Sequence, residues 1–371
     1  MNKFLELAVP GVRGLHPYQP GKPIEELERE LGLKDIIKLA SNENPLGPSP
    51  RAIEAIKRHT ADVWLYPDGG GFAMKAKLSE RFGMRPEQIT LGNGSSDVLE
   101  FAVRAFVTAQ DEVLFSAHSF AIYPILTQAV GAKAVVVPAK NWGNDLDAMA
   151  KAVTPRTKLV FIANPNNPTG TWVGAGALEA FIAGLPAHTL VVLDEAYFEF
   201  ASHPAMGARD YPDGLRWVDR YPNLIVGRTF SKAYGIAGLR VGYSVSHPDV
   251  SDLLNRVRPP FNVNSLALAA ATAALDDEEH LRRTVEMNAA GMGQLTDGFQ
   301  TLGLDFVASV GNFVAVDVGR PAAPVYDALL REGVIVRPVA NYGMPNHLRV
   351  TVGRPEQNKR FLEALRKVLK A

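Results

Sequence analysis

The chain has 371 residues, 47% hydrophobic and 21% charged, which is ample material for a large buried core and for more than one domain. Lys plus Arg and Asp plus Glu each number 39, so no global basic field exists to attract nucleic acid or an anionic membrane. The absence of cysteine excludes disulfides, cysteine-ligated zinc, iron–sulfur clusters and a catalytic thiol, and fits a reducing cytoplasm.

From the N-terminus, residues 1–10 hold one Lys and no apolar stretch long enough for a signal peptide. Two Pro-rich strings follow, His16-Pro17-Tyr18-Gln19-Pro20-Gly21-Lys22-Pro23 and Lys38-Leu39-Ala40-Ser41-Asn42-Glu43-Asn44-Pro45-Leu46-Gly47-Pro48-Ser49-Pro50. By themselves they read as an extended surface arm. The middle of the chain then alternates short β-rich runs with helical patterns. Strands are expected over 89–91, 112–115, 134–137, 158–163, 189–193, 224–228 and 241–245, with helices over 96–108, 120–130 and 176–183. Several runs are unbroken Val/Ile/Leu, as in strands covered on both faces. This rhythm predicts an α/β fold with a doubly wound, mostly parallel sheet. After Pro259-Pro260 the pattern changes to two helical stretches, strands over 313–318, 334–337 and 348–352, and a last helix over 356–369, which predicts a smaller α+β domain. The Ala-rich run over 265–275 is too short to cross a bilayer and reads as a buried helix.

Chemistry-bearing strings follow several of these strands, at the edge where parallel sheets bind ligands. Gly92-Asn93-Gly94-Ser95-Ser96-Asp97 joins a strand to a helix N-terminus. Its glycines and free N–H groups suit a phosphate, although a simple helix cap has the same composition. Asn164-Pro165-Asn166-Asn167-Pro168-Thr169-Gly170 is a dense turn cluster at a strand end. Asp194-Glu195-Ala196-Tyr197 puts an acid at the tip of a buried strand, where it must cap a helix or meet a partner. Thr229-Phe230-Ser231-Lys232-Ala233-Tyr234-Gly235 sets a lysine among hydroxyls, with Arg240 following. A lysine held in a closed site can lose its charge and attack aldehydes, while the hydroxyls and the arginine can hold a phosphate.

In this order, over nearly the whole chain, the strings resemble the fold-type I pyridoxal-phosphate-dependent aminotransferases. The resemblance implies that Lys232 forms a Schiff base with pyridoxal 5'-phosphate and later moves the proton. It implies that Asp194 pairs with the pyridine nitrogen, that Tyr197 and Asn167 meet the ring hydroxyl, and that Phe120 stacks on the ring. Many relatives have Tyr at the Phe120 position. The phosphate cradle implied is Gly94, Ser95 and Ser96 with Thr229, Ser231 and Arg240. Tyr66 matches a tyrosine that relatives donate across a homodimer interface.

The N-terminal strings, together with Gly333-Val334-Ile335-Val336-Arg337-Pro338 and Leu348-Arg349-Val350-Thr351-Val352-Gly353, resemble the histidinol-phosphate aminotransferases of histidine biosynthesis. That resemblance implies ping-pong transfer between glutamate/2-oxoglutarate and imidazole-acetol phosphate/histidinol phosphate. Arg349 would take the carboxylate of one substrate and the phosphate of the other, with Tyr18, Asn42 and Arg337 also at the substrate. It implies a cytoplasmic homodimer with shared active sites, and no metal, nucleic acid or membrane as partner. The domains expected are 40–258 for the cofactor, and 1–39 plus 259–371 as arm and small domain. An aromatic amino acid aminotransferase and a threonine-phosphate decarboxylase are the alternatives within the fold. A sensor fused to a DNA-binding winged helix would need a basic helix-turn-helix before the pattern begins near Ser41, and none precedes it.

Overall fold

The computed structural model describes residues 3–370. Met1 and Asn2, which belong to the stretch read above as lacking a leader, and Ala371 lie outside the described residues. A short strand, β1 (Ile37–Lys38), precedes the main sheet. Its strands are β2 (Ile89–Gly92), β3 (Glu112–Ser116), β4 (Lys133–Val137), β5 (Thr157–Ala163), β6 (Leu190–Asp194), β7 (Leu224–Thr229) and β8 (Gly242–Ser246), all close to the expected ranges. They form one seven-stranded sheet in the order β2-β8-β7-β6-β5-β3-β4. Every neighbouring pair is parallel except the two made by β8. Two reversals restore the direction, so β2, β5, β6 and β7 all deliver their following loops to the same edge.

Side chains alternate across these strands. Leu114, Val160, Ile162, Val191, Leu193 and Val226 enter one core with the helices Leu146–Ala152 and Ala175–Gly184. Val113, Phe115, Leu159, Phe161, Val192 and Ile225 enter another with the helices Ser95–Phe106, Ile122–Ala129 and Pro248–Val257. The sheet is therefore doubly wound and mostly parallel. The alanine-rich helix Ser265–Leu275 also packs in the first core, past residue 258. Ala267, Ala270, Ala271 and Ala274 recur at helical spacing, and their small side chains let the helix lie close against the helix Pro50–His59, whose Ala52 and Ala55 are buried.

The C-terminal part adds β9 (Phe306–Val307), β10 (Phe313–Asp317), β11 (Val334–Ile335), β12 (Arg337–Pro338) and β13 (His347–Thr351). The single strand expected over 334–337 is two. β11 pairs in parallel with β1, whereas β12 joins the antiparallel sheet β12-β13-β10-β9. Pro338 suits this outer position, since it has no N–H to give a further ladder. A third core gathers Leu295 and Phe299 of the helix Glu278–Thr301, Val325 and Leu329 of Ala322–Arg331, and Phe361 and Leu365 of Pro355–Lys370. Ile37 and Leu39 of the N-terminal segment belong to the same core. No helix among the described residues is long and apolar enough to cross a membrane.

Candidate active site

The shared edge of β2, β5, β6 and β7 opens into a cavity that the antiparallel sheet and the N-terminal segment close from the other side. It is lined by Ser95 and Ser96 after β2, Asn167 after β5, Asp194 at the end of β6, and Thr229, Ser231, Lys232 and Arg240 around β7. Phe120 and Tyr197 line it too, and Tyr18, Asn42, Arg337 and Arg349 face it from the arm and the second sheet. Of the residues singled out from sequence, Gly94 and Tyr66 do not line it.

Gly94 acts through its backbone. Its φ of 83° is left-handed, and a Cβ there would collide with the Arg240 guanidinium. The helix Ser95–Phe106 therefore starts with no side-chain cap, its first N–H groups have no acceptor within the helix, and its first residues Ser95 and Ser96 line the cavity. Arg240 Nη1 donates to Ser231 Oγ at 3.2 Å, and the Ser231 N–H donates to Thr229 Oγ1 at 3.2 Å. Helix N–H groups, hydroxyls and one guanidinium thus converge on a single spot, which is a donor set for an anion.

Asp194 is buried and ends β6 on the face that carries the second core. Tyr123 Oη donates to its Oδ2 at 2.9 Å and the Ala196 N–H donates to its Oδ1 at 3.2 Å. Burial raises its pKa against those hydrogen bonds, and among the described residues no salt bridge reaches it. Lys232 Nζ donates to the Ser41 carbonyl at 3.1 Å. Its pKa is lowered to about 8, first by burial and then by the nearby Arg349 guanidinium. Tyr197 accepts a hydrogen bond from Asn42 Nδ2 at 2.9 Å, and burial pushes its phenol up to about 12. Asn42 sits at φ 57° and is held on every side: its N–H donates to Thr351 Oγ1, Thr351 Oγ1 donates to its Oδ1, and Asn312 Nδ2 donates to its carbonyl.

Arg349, on β13, is buried. Nη1 donates to Asn167 Oδ1 and Nη2 to the Ala40 carbonyl, each at 2.6 Å, while its Nε has no partner. Its register partner across the ladder is Arg337, whose Nη2 donates to the Gln19 carbonyl at 2.6 Å. Like charges directly opposite one another destabilise a ladder. Neither arginine is paired with a carboxylate among the described residues, so this end of the cavity is built to receive an anion.

Tyr66 is 82% exposed and lies outside the cavity of its own chain, with its ring stacked on Phe261 at 4.8 Å. Sequence reasoning missed Tyr123. Its ring stacks flat on Phe161 at 4.4 Å, which is ordinary core behaviour, yet its hydroxyl is aimed at Asp194. The available signal was a buried tyrosine in the first turn of a helix, whose hydroxyl needs a partner. Ser41 was also missed, since it acts through a carbonyl that any residue carries.

The family model for aminotransferase class I and II matches residues 34–365. Histidinol-phosphate aminotransferase 1 of Nitrosococcus oceani is 61% identical over 366 residues, which cover 99% of this chain and 98% of the relative. Histidinol-phosphate aminotransferase 2 of Pseudomonas fluorescens is 62% identical over 368 residues, with the same coverage. The chain belongs to the histidinol-phosphate aminotransferases, within the class I and II aminotransferases. The crystal structure of histidinol-phosphate aminotransferase from Sinorhizobium meliloti, in complex with pyridoxal-5'-phosphate, superposes on this aminotransferase with a TM-score of 0.89 at 32% identity, covering 100% of this chain and 98% of that one.

Proposed function

We propose that this aminotransferase moves an amino group between L-glutamate/2-oxoglutarate and imidazole-acetol phosphate/L-histidinol phosphate, a step of histidine biosynthesis, with pyridoxal 5'-phosphate as cofactor. The observation that carries the substrate assignment is the pair Arg337 and Arg349. They are register partners, face the cavity, and lack a carboxylate. A doubly charged phosphate monoester accounts for two opposed guanidiniums better than a single carboxylate does.

The residues fit the cofactor. The cradle of Ser95, Ser96, Thr229, Ser231 and Arg240 sets hydroxyls that can donate beside one guanidinium and holds no carboxylate, which suits an anion, and Gly94 gives up the space a Cβ would fill. Asp194 is a buried carboxyl in want of a cationic partner, which a protonated pyridine nitrogen supplies. Tyr197, Asn167 and Phe120 line the same cavity, where Tyr197 and Asn167 would meet the ring hydroxyl and Phe120 the ring face. When bound, pyridoxal phosphate supplies an aldehyde for amines and a ring that draws electrons from the substrate's Cα–H bond.

The chain's own residues do the rest. Lys232 Nζ, inside the cavity, would hold the cofactor through its aldehyde, and the substrate amine would take its place there. As a free amine it would take the proton from the substrate Cα, and burial, which lowers its pKa in the cofactor-free protein, favours the neutral form that a base needs. Arg349 anchors the carboxylate of glutamate in one half-reaction and the phosphate of histidinol phosphate in the other, with Arg337 and Tyr18 on the phosphate side. One substrate uses the site after the other, which is ping-pong kinetics, and the reaction is reversible.

The proposal extends to a cytoplasmic homodimer that binds only small molecules. Val63, Trp64, Leu65, Tyr66, Phe72 and Phe261 are large apolar side chains left exposed on one chain. Such a surface fits burial against a second copy, with Tyr66 reaching the partner's cavity. It also divides the chain into a large cofactor domain over 40–258 and a smaller one of 1–39 plus 259–371. The separate cores support two units, and the helix Ser265–Leu275 packs with the larger. The experiment is an initial-rate study of glutamate with imidazole-acetol phosphate. Parallel double-reciprocal lines support the reading, and no turnover of imidazole-acetol phosphate refutes it.

A further inference from the structure

Behind the cavity the sheet carries charges that the reaction does not use. Along β6 and β7 the faces alternate, so Asp194 shares the face of Tyr123 while Glu195 and Arg228 point into the opposite core. Arg228 is 1% exposed and Glu195 is 0% exposed. Arg228 Nε and Nη2 donate to Glu195 Oε2 at 2.9 and 2.7 Å, and Nη2 also donates to Asp213 Oδ1 at 2.7 Å. The flat face of the same guanidinium lies over Phe198, 3.4 Å from the ring centroid. The Gly214 N–H donates to Glu195 Oε1 at 2.9 Å, so the carboxylate is held on both oxygens.

A buried ion pair is a poor stabiliser: well-packed apolar side chains of similar volume often do as well or better. Its position here is more specific than stability requires. Glu195 is bonded to Asp194, Phe198 to Tyr197, and Arg228 itself to Thr229. Two of the groups the guanidinium touches, Glu195 and Phe198, and the guanidinium's own backbone are each one peptide link from a side chain of the cavity, while Asp213 holds the fork from outside it. We propose that Arg228 is a positioning residue for the reaction, fixing Asp194, Tyr197 and the segment from Thr229 to Lys232 relative to one another from the reverse face of the sheet. Only a planar fork with a stacking face makes all these contacts at once; an ammonium does not. The inference rests on the assignment of Asp194, Tyr197 and Lys232 to the cofactor site.

The test uses the cofactor-loaded full-length enzyme and three variants. Arg228→Lys keeps the charge and loses the fork, Glu195→Gln keeps the shape and loses the charge, and Arg228→Met/Glu195→Met replaces the pair by apolar volume. Each is read by thermal midpoint, by kcat and KM, by equilibrium affinity of the cofactor-free protein for pyridoxal phosphate, and by pH titration of the visible absorption of the cofactor joined to Lys232. In every variant that folds, kcat is expected to fall about tenfold or more with KM for glutamate little changed, as misplacement of reacting groups does. The titration midpoint is expected to move by about half a pH unit or more, as a repositioned charge requires. The double Met variant should show both effects even where its thermal midpoint matches the wild type. Variants that melt earlier yet keep the wild-type kcat, cofactor affinity and titration midpoint would reduce Arg228 to a structural role and overturn the proposal. Glu195→Gln, nearly isosteric, keeps the test open if Arg228 variants do not fold. If the wild-type enzyme itself shows no absorption from cofactor joined to Lys232, the underlying site assignment fails instead.

Discussion

Asn167 Oδ1 accepts a hydrogen bond from Arg349 Nη1 at 2.6 Å, joining the loop after a central parallel strand to the last strand of the antiparallel sheet. This bond crosses the cavity from the cofactor side to the substrate side. Because it is to a neutral acceptor, the guanidinium keeps its full charge for an incoming anion. Arg349→Gln is therefore expected to lower kcat/KM by roughly a hundredfold or more for both histidinol phosphate and glutamate, the scale of losing a charged, bidentate anchor. Separate half-reaction kinetics check it. A loss confined to one substrate would contradict a shared anion site.

Tyr123→Phe removes one hydroxyl and leaves the stacked ring in place on Phe161. That hydroxyl donates to Asp194 and favours its ionised form against burial. Without it the carboxyl rises further and pairs less well with a protonated ring nitrogen. Cofactor affinity should weaken about tenfold, the scale of a hydrogen bond to a charged group. Equilibrium dialysis of the cofactor-free protein measures this, and circular dichroism should show an unaltered fold.

Lys232 carries a stability penalty in the cofactor-free protein. Its folded pKa is lowered from 10.5 to about 8. Below pH 8 the amine is charged in both states, and the folded state bears the whole penalty. Between 8 and 10.5 the folded state binds fewer protons than the unfolded, so stability rises with pH, and above 10.5 the penalty is gone. Cofactor-free Lys232→Met should therefore be more stable than cofactor-free wild type at pH 7, with the gap narrowing toward pH 10. Urea midpoints at the two pH values decide it; a gap that does not narrow contradicts the lowered pKa.

Tyr66 tests the dimer. Neither Lys232→Ala nor Tyr66→Ala homodimers should be fully active. If Tyr66 serves the partner's cavity, a mixed dimer holds one site with both lesions and one intact site. Random re-association should then restore about one quarter of wild-type activity, as two-fold symmetry dictates. No restoration would place Tyr66 outside a shared site.

Much of this was legible in the sequence because the motifs sit where parallel strands end, and strand ends are marked by unbroken Val/Ile/Leu runs followed by Gly, Asn and Ser. Lys232, Asp194 and the Ser95–Ser96 turn were readable for that reason. The reversal of β8 was not, since its sequence Gly-Tyr-Ser-Val-Ser resembles any covered strand and direction is set by packing. The break at Val336 was also hidden: 334–337 reads as one strand, yet Ile335 and Arg337 pair with different sheets. Tyr123 was masked by its own aromatic packing. Arg228 and Glu195 read as flanking residues of better-marked neighbours, and only the alternation of faces in the folded sheet brings them together.

The paired Arg337 and Arg349 imply that this cavity takes a phosphate-bearing amine as well as glutamate. This substrate range is tested most directly by a single half-reaction, with no amino acceptor present. Purified enzyme loaded with pyridoxal phosphate is mixed separately with histidinol phosphate, phenylalanine and threonine phosphate, and the cofactor's visible absorption is followed. Histidinol phosphate is expected to convert the cofactor to its amine form far more efficiently than phenylalanine does, with no carbon dioxide released from threonine phosphate. A preference for phenylalanine, or carbon dioxide from threonine phosphate, would contradict it.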